Sequence, residues 1–158
     1  MATREELLAN DAKMEWIAVL AWKKWLGENG HLHKHETRRE QWYGDFSVEK
    51  ETFMEVKHRS KGDYPIAWDG TKLSLKMEVP HKWKEAPEGT KLLHINAFPE
   101  IGKVLVYEVE KEAIKTEPFG WKEKCETVDS ALPLAVLDAH YSEENIRLWR
   151  ERKGKKLW

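Results

Sequence analysis

Two short β-rich runs on either side of a charged turn are the feature that most constrains the fold of this chain. The runs are residues 43–48 and 53–58, and residues 49–52, with the sequence Glu-Lys-Glu-Thr, separate them. β-Branched and aromatic residues flanking a short polar turn are typical of a β-hairpin. Because side chains alternate along a strand, Glu55 and Lys57 are expected to project side by side from one face of the second strand.

A second carboxylate falls in the first strand of this predicted hairpin. Asp45 precedes Glu55 by ten residues, and the reversal of the chain can bring the two side chains together. Carboxylate oxygens are the hard ligands that Mg²⁺ prefers, and a neighbouring lysine can stabilise negative charge on a substrate. The spacing of Asp45, Glu55 and Lys57 therefore predicts a site for a divalent metal ion.

An amphipathic helix is predicted before the hairpin, over residues 4–26. One stripe of this helix consists of Leu8, Asp11, Glu15, Ala18, Trp22 and Trp25. A carboxylate within an otherwise apolar stripe is unusual because burying an unpaired charge costs free energy, so Glu15 is a candidate functional residue. Gly27 and Gly30 are expected to end the helix, and residues 31–38 to run extended as a first strand.

The order of these elements and motifs resembles the PD-(D/E)XK, or restriction endonuclease-like, nuclease superfamily. That superfamily includes restriction enzymes, phage nucleases and Holliday junction resolvases. The triplet Glu55-Val56-Lys57 matches its third motif, and Asp45 matches the acidic residue of its second motif, while Gly44 stands where the name-giving proline is expected. The resemblance implies an α/β fold with a mixed central β-sheet flanked by helices, whose core begins with one helix and three strands.

The resemblance also implies a carboxylate contributed by the first helix. Glu15 fits this role better than Glu6, because Glu15 shares its stripe with Leu8 and Ala18. We therefore expect Glu15 to face the metal site, with Glu6 as the alternative.

The activity implied by the resemblance is Mg²⁺-dependent hydrolysis of DNA phosphodiester bonds, with Mn²⁺ expected to substitute. Asp45, Glu55 and the backbone carbonyl of Val56 would hold the metal, and Glu15 would bind through water or hold a second ion. Such a metal neutralises developing charge and lowers the pKa of a bound water. Lys57 would stabilise charge on the scissile phosphate or help to remove a proton.

Context separates this motif from others of the same composition. Acid-x-Lys triplets begin at Asp11, Glu55 and Glu151, so the triplet alone carries little information in a chain with 35% charged residues. The triplet at Glu55 is the one that lies in a β-rich run, follows an acidic residue in a preceding strand, and comes after a helix with a carboxylate in its apolar stripe. The competing interpretation is a surface hairpin whose charges are simply solvated.

Local basic clusters indicate how nucleic acid would be bound. The net charge is −1, so affinity for DNA must come from such clusters rather than from the whole protein. The residues proposed to contact nucleic acid are Arg38, Arg39, His58, Arg59 and Lys61. Nine tryptophans are also present, and their rings suit bases as well as protein cores. The expected partner is duplex or branched DNA, and the alternative function is a non-catalytic nucleic-acid-binding or accessory protein.

Three histidines alternate along the predicted first strand. His31, His33 and His35 would share one face and could bind a transition metal, which would make a hydrolase of a different kind. The simpler interpretation is an exposed strand face, because a clear carboxylate partner is missing from the sequence nearby. Both interpretations stay open at this point.

The rest of the chain is predicted as further strands and a C-terminal helix. A hairpin over residues 64–79 turns at Asp69-Gly70, a short helix follows over 80–85, strands follow over 91–97 and 103–110, and a helix over 142–152 begins at Ser142. The sequence has no repeat or low-complexity linker, so residues 1–158 are expected to form a single domain.

The setting expected for this domain is cytoplasmic. The sequence contains no apolar run of about 18 residues, which indicates no membrane span, and its start leads into a helix pattern rather than a secretory segment. The single cysteine, Cys125, cannot form an internal disulfide or a thiolate metal cluster, as is typical of a reducing compartment. Whether the protein is a homodimer stays open.

Overall fold

The computed structural model describes residues 1–29, 37–40, 44–48, 52–65 and 73–155, with the backbone alone described for 37–40 and 44–48. Within these ranges two α-helices and nine strands are present. They are α1 (Arg4–Glu28), β1 (Thr37–Glu40), β2 (Gly44–Val48), β3 (Thr52–His58), β4 (Leu75–Glu78), β5 (Lys91–Phe98), β6 (Lys103–Glu108), β7 (Lys115–Phe119), β8 (Lys122–Ala131), β9 (Pro133–Asp138) and α2 (Glu143–Arg152).

The N-terminal helix forms as predicted. Thr3 caps it, because its hydroxyl accepts a hydrogen bond from the backbone N–H of Glu6 at 3.1 Å. The buried face of the helix consists of Leu7, Asn10, Met14, Ala18, Val19 and Trp22. This face differs from the predicted stripe: Leu8, Asp11 and Glu15 are half-buried and flank it.

Six strands form one mixed sheet in the order β1-β2-β3-β5-β6-β9. Strands β3 and β5 are parallel, and each of the other described neighbours in this sheet is antiparallel. A parallel pair needs a crossover connection, because the chain must return to the same end of the sheet. This connection carries β4 and a 3-10 helix at His81–Glu85, where the sequence predicted a short helix.

The two faces of the six-stranded sheet are buried against different layers. Helices α1 and α2 cover one face, where Met54, Val56 and Ile95 are buried together with residues of both helices. The other face is covered by a second sheet of three strands, in the order β4-β8-β7. Phe53 and Leu105 are buried on that side. The fold is therefore a mixed α/β arrangement of three layers with the large sheet in the middle.

The three-stranded sheet was not expected from the sequence. Its strands carry many charged side chains, which pair across the solvent-facing surface. The Nζ of Lys76 lies 2.7 Å from the carboxylate of Glu117, and the Nζ of Lys115 lies 2.6 Å from that of Asp129. Met77 and Val128 face inward and are buried. The predicted alternation of Leu73, Leu75, Met77 and Val79 is confirmed, but the described partner of β4 is β8 rather than a hairpin strand.

Other predicted elements are confirmed. β2 and β3 pair antiparallel as a hairpin. β5 and β6 form where strands were expected, and a 3-10 turn with Gly102 at φ +64° links them. α2 begins after Ser142. The predicted turn at Asp69-Gly70 lies outside the described residues. Neither described helix combines the length and the apolar character needed to cross a membrane.

Candidate functional site

The register of the hairpin relates the two carboxylates of the predicted metal site. Strands β2 and β3 pair Phe46 with Met54 and Ser47 with Phe53. The pairs of this ladder end with Phe46 and Met54, which are followed along the two strands by position 45 and Glu55. On its other side, β2 pairs with β1 with a register irregularity between Ser47 and Gly44. The hairpin therefore brings Asp45 and Glu55 into adjacent segments of neighbouring strands, while the Asp45 side chain itself lies outside the described part of the structure.

Glu55 and Lys57 project from the face of the large sheet that the helices do not cover. Strand alternation puts them on the side of Phe53, which is buried against the three-stranded sheet, and opposite Met54, which is buried against α1. Glu55 is half-buried and Lys57 is exposed. The predicted side-by-side arrangement of a carboxylate and an ammonium on one strand face is therefore present.

Glu15 is not brought to this face. It belongs to α1, which packs through Met14 and Ala18 on the opposite side of the sheet, against Met54. The helical periodicity correctly indicates that α1 buries one face, but it contains no information about which side of the sheet the helix covers. The expectation that Glu15 joins Glu55 is therefore not supported by the geometry.

The fit to a metal ion rests on fewer groups than the sequence suggested. Within the side chains described, which include Glu15 and Glu55, no group of three or more histidine, cysteine or acidic residues lies close enough to hold a metal. The remaining candidate ligands are Asp45, Glu55 and the backbone carbonyl of Val56. These are hard oxygen donors that suit Mg²⁺ in type, with waters filling the other positions.

The predicted nucleic-acid contacts divide between two faces. Arg59 follows β3 and bonds to a β5 side chain on the face of Lys57, while Lys61 is exposed in a 3-10 helix at Lys61–Asp63. His58 lies on the helix face, half-buried, with its ring edge-on to that of Tyr141 at a centroid distance of 6.2 Å. His58 is therefore separated from the cations beside it in sequence.

Other predicted residues lie in strands without described side chains or outside the described residues. Arg38 and Arg39 are in β1, and Arg38 pairs with Ser47 of β2. His31, His33 and His35 fall in residues 30–36, which the structure does not describe.

Two buried polar residues beside Glu55 and Lys57 were missed by the sequence reasoning. The parallel pairing of β3 and β5 sets Glu55 next to His94 and Lys57 next to Asn96. We call these four residues the polar patch. His94 and Asn96 are both completely buried. The signal was available, because these two polar residues alternate within an otherwise apolar strand, at the spacing of one strand face.

Hydrogen bonds attach the polar patch to the three-stranded sheet. The Nε2 of His94 lies 2.8 Å from the backbone carbonyl oxygen of Glu78, at the end of β4. The carboxylate of Glu78 also accepts a hydrogen bond from the Nζ of Lys122. Burial alone would raise the pKa of Glu78, but the hydrogen bonds from Lys122 and Cys125 outweigh it, so this pKa lies below its usual value. Glu78 is therefore ionised, and its carboxylate is already hydrogen-bonded to Lys122.

Burial dominates the titration of the histidine in the polar patch. It lowers the pKa of His94 from its ordinary 6.5 to about 3, and the positive charge of Arg59 acts in the same direction. His94 is therefore neutral near pH 7. It can donate one hydrogen bond and accept another, but it does not act as a cationic group in this environment.

Comparison with known proteins adds no family to this description. No protein-family model matches the chain, and neither a curated protein nor a solved structure shows a significant match to it.

Proposed function

We propose that this protein is a metal-dependent nuclease that hydrolyses DNA phosphodiester bonds with Asp45, Glu55 and Lys57. The observation that supports the proposal is the antiparallel β2–β3 hairpin, whose pair Phe46–Met54 adjoins Asp45 and Glu55, with Lys57 two residues beyond Glu55 on the same strand. The described order of one helix followed by three antiparallel strands also agrees with the resemblance to the PD-(D/E)XK superfamily.

The chemistry of these residues suits a phosphodiester substrate. Asp45, Glu55 and the Val56 carbonyl would hold Mg²⁺, which supplies charge neutralisation and a more acidic water when it is bound. Lys57 is exposed at the end of the strand face, where its ammonium can stabilise negative charge on a phosphate. Half-burial of Glu55 limits competition from solvent at that carboxylate. Branched DNA is a candidate substrate through the same resemblance.

The test of this proposal is cleavage of plasmid and four-way-junction DNA by the pure protein in Mg²⁺ and in EDTA. We expect Glu55→Gln to abolish Mg²⁺-dependent cleavage, since the amide keeps the shape of the side chain but loses the charge. Glu108→Gln is the matched control, because Glu108 is an exposed strand glutamate on the opposite face of the same sheet. Equal cutting by Glu55→Gln and the parent would show that the site is elsewhere.

Lys57→Ala separates catalysis from binding in the same assay. We expect turnover at saturating DNA to fall about 100- to 1000-fold, as it does when an electrostatic stabiliser is lost. DNA affinity in Ca²⁺ should fall about tenfold or less, because only one cation is removed. Lys91→Ala, which removes an exposed lysine at the start of β5, should leave both quantities unchanged. Full turnover by Lys57→Ala would contradict the assigned role.

A non-catalytic nucleic-acid-binding protein is the second candidate function. Two observations on the described side chains favour it. Arg59 lies next to the polar patch, and the described side chains include no group of three metal-binding residues. Such a protein would bind DNA equally well in EDTA and in Mg²⁺ and would leave it intact. If the parent degrades DNA in Mg²⁺ but not in EDTA, and Glu55→Gln does not, the protein is a nuclease rather than a binding protein.

A further inference from the structure

Arg59 is a half-buried cation without a carboxylate partner in the described structure. Its Nε donates a hydrogen bond of 2.6 Å to the Oδ1 of Asn96, and its backbone N–H donates to the carbonyl of Ala97 at 2.8 Å. Asp63 acts on it only as a more distant charge, and burial lowers the pKa of the guanidinium. Removing a cation from water without an anion beside it costs free energy, so this environment is suited to an external anion.

A directed chain of hydrogen bonds holds Asn96 in place. The Nδ2 of Asn96 lies 2.9 Å from the Nδ1 of His94, whose Nε2 lies 2.8 Å from the carbonyl oxygen of Glu78. A carbonyl can only accept, so Nε2 of the neutral His94 carries the hydrogen and Nδ1 must accept from Asn96. The amide oxygen of Asn96 is thereby directed at Arg59. Since both residues are completely buried, this orientation is fixed by packing as well.

The surroundings of Arg59 carry further positive charge. Lys57 is exposed on the same strand face and pairs in register with Asn96. Glu100, which accepts a hydrogen bond from the backbone N–H of Lys61, is already paired with Arg150, whose Nη2 lies 2.6 Å from its carboxylate. Apart from the exposed Asp63, the described groups around Arg59 therefore leave its charge uncompensated.

We propose that Arg59, positioned by Asn96 and His94, is the primary binding group for a phosphate, through the two guanidinium Nη groups that Asn96 does not use. A planar guanidinium with fixed orientation can bind two phosphate oxygens at once, which a flexible lysine cannot. Asn96 and His94 are positioning residues, because they act through Arg59. The identification of the phosphate as one of nucleic acid rests on the proposed function, whereas the anion site itself requires no cleavage.

The test measures binding of a labelled oligonucleotide and of inorganic pyrophosphate in EDTA, where cleavage is excluded. Arg59→Gln removes the charge but keeps an N–H that can donate to Asn96. We expect it to weaken oligonucleotide binding about tenfold and to reduce the slope of log affinity against log salt by about 0.7 to 0.9, the value for one phosphate contact. Arg59→Lys should restore the slope but only part of the affinity. Lys91→Gln is the matched control and should change neither.

Asn96→Asp tests the positioning role. A carboxylate at this position would pair with Arg59 and compensate its charge internally, so the salt slope should fall as it does in Arg59→Gln. A residue with a merely structural role would alter stability without changing that slope. Urea unfolding of each variant gives the folded fraction, to which binding is normalised. If Asn96→Asp does not fold, the two Arg59 variants still decide whether the anion site exists.

The outcomes separate this inference from the nuclease proposal. Binding by the parent that is lost in Arg59→Gln supports the anion site, even if no cleavage occurs and the nuclease proposal fails. Cleavage that depends on Glu55 but binding that is unaffected by Arg59→Gln overturns the anion site and leaves the nuclease proposal standing. The anion site is also overturned if the parent binds neither probe.

Discussion

His94 is a titratable side chain enclosed by the two sheets, and its enclosure links pH to stability. In the unfolded chain a histidine has a pKa near 6.5, whereas burial and the charges of Arg59 and Lys57 lower the pKa of His94 in the folded protein to about 3. Between these two values the unfolded state binds a proton at this position and the folded state does not. The free energy of unfolding therefore decreases as the pH falls through this window.

We predict that His94 makes a pH-dependent contribution to the free energy of unfolding, and that this contribution is lost when the imidazole is removed. Well above pH 6.5 His94 is neutral in both states and contributes no slope. Between pH 6 and 4 it should add up to about 1.4 kcal/mol per pH unit, the limit for one proton. Urea unfolding of the parent and of His94→Gln at several pH values measures this. The variant should be less stable at pH 7 but show a shallower pH dependence, and parallel curves would contradict the prediction.

At the scale of secondary structure, the α1–α2 contact depends on a pair of asparagines. The Nδ2 of Asn145 donates to the Oδ1 of Asn10 at 2.8 Å, and the Nδ2 of Asn10 donates to the backbone carbonyl of Asn145 at 3.0 Å. Both residues are buried. Asn145 also completes a capping box with Ser142 at the start of α2. One side chain therefore stabilises both a helix terminus and a contact between helices.

Asn145→Ala should destabilise the protein by about 2 to 4 kcal/mol. It removes part of a cap, worth about 1 kcal/mol, and leaves a buried acceptor on Asn10 without its donor, at a cost of about 1 to 3 kcal/mol. Glu143→Ala, at an exposed position in the same turn, should stay within about 0.5 kcal/mol of the parent. Chemical denaturation of both variants checks the difference. A loss below 1 kcal/mol for Asn145→Ala would show that the pair contributes little.

The elements that the sequence predicted are those specified by local signals. The N-terminal helix, the hairpin and the Ser142 cap are each encoded within a short stretch of sequence, and the structure has all three, although the buried face of the helix is not the predicted stripe. The three-stranded sheet is specified by pairing between distant segments, such as Met77 with Val128, and its charged outer face hides the alternation. The side of the sheet covered by α1 depends on the connections of the whole chain, which is why Glu15 could not be placed correctly from its stripe.

The candidate site, too, was predictable only where local sequence signals specify it. The neighbouring positions of Glu55 and Lys57 follow from alternation within one strand, and the sequence indicated them directly. The residues beside that strand face do not follow from alternation. His94 and Asn96 become neighbours of Glu55 and Lys57 only through the parallel pairing of β3 with β5, across about forty residues of chain. A polar residue in a buried strand is a visible signal, but its partner is decided by strand order.

At the scale of the whole molecule, β5 connects the two buried layers. Successive residues of this strand alternate between them: Leu93 and Ile95 pack with the helices, while Leu92 and Phe98 pack with the three-stranded sheet. Neither layer can lose its contacts with β5 without exposing the apolar face of the central sheet. We therefore expect the protein to unfold in one cooperative transition, as single domains of this size usually do.

Adjacent leucines of β5 provide the matched test. Leu92→Ala removes packing on the three-stranded side and Leu93→Ala on the helix side, and the two residues are 2% and 0% exposed. Each should lower the free energy of unfolding by about 2 to 5 kcal/mol, the range for truncating a buried leucine. Hydrogen exchange of the most protected amides in α1 and in β8 reports on the two layers separately. Cooperative coupling predicts that either variant lowers protection in both elements by the same amount, because both exchange through global unfolding. If Leu92→Ala lowered protection in β8 and left α1 unchanged, the layers would be independent, and the large sheet would remain folded when the small one is lost.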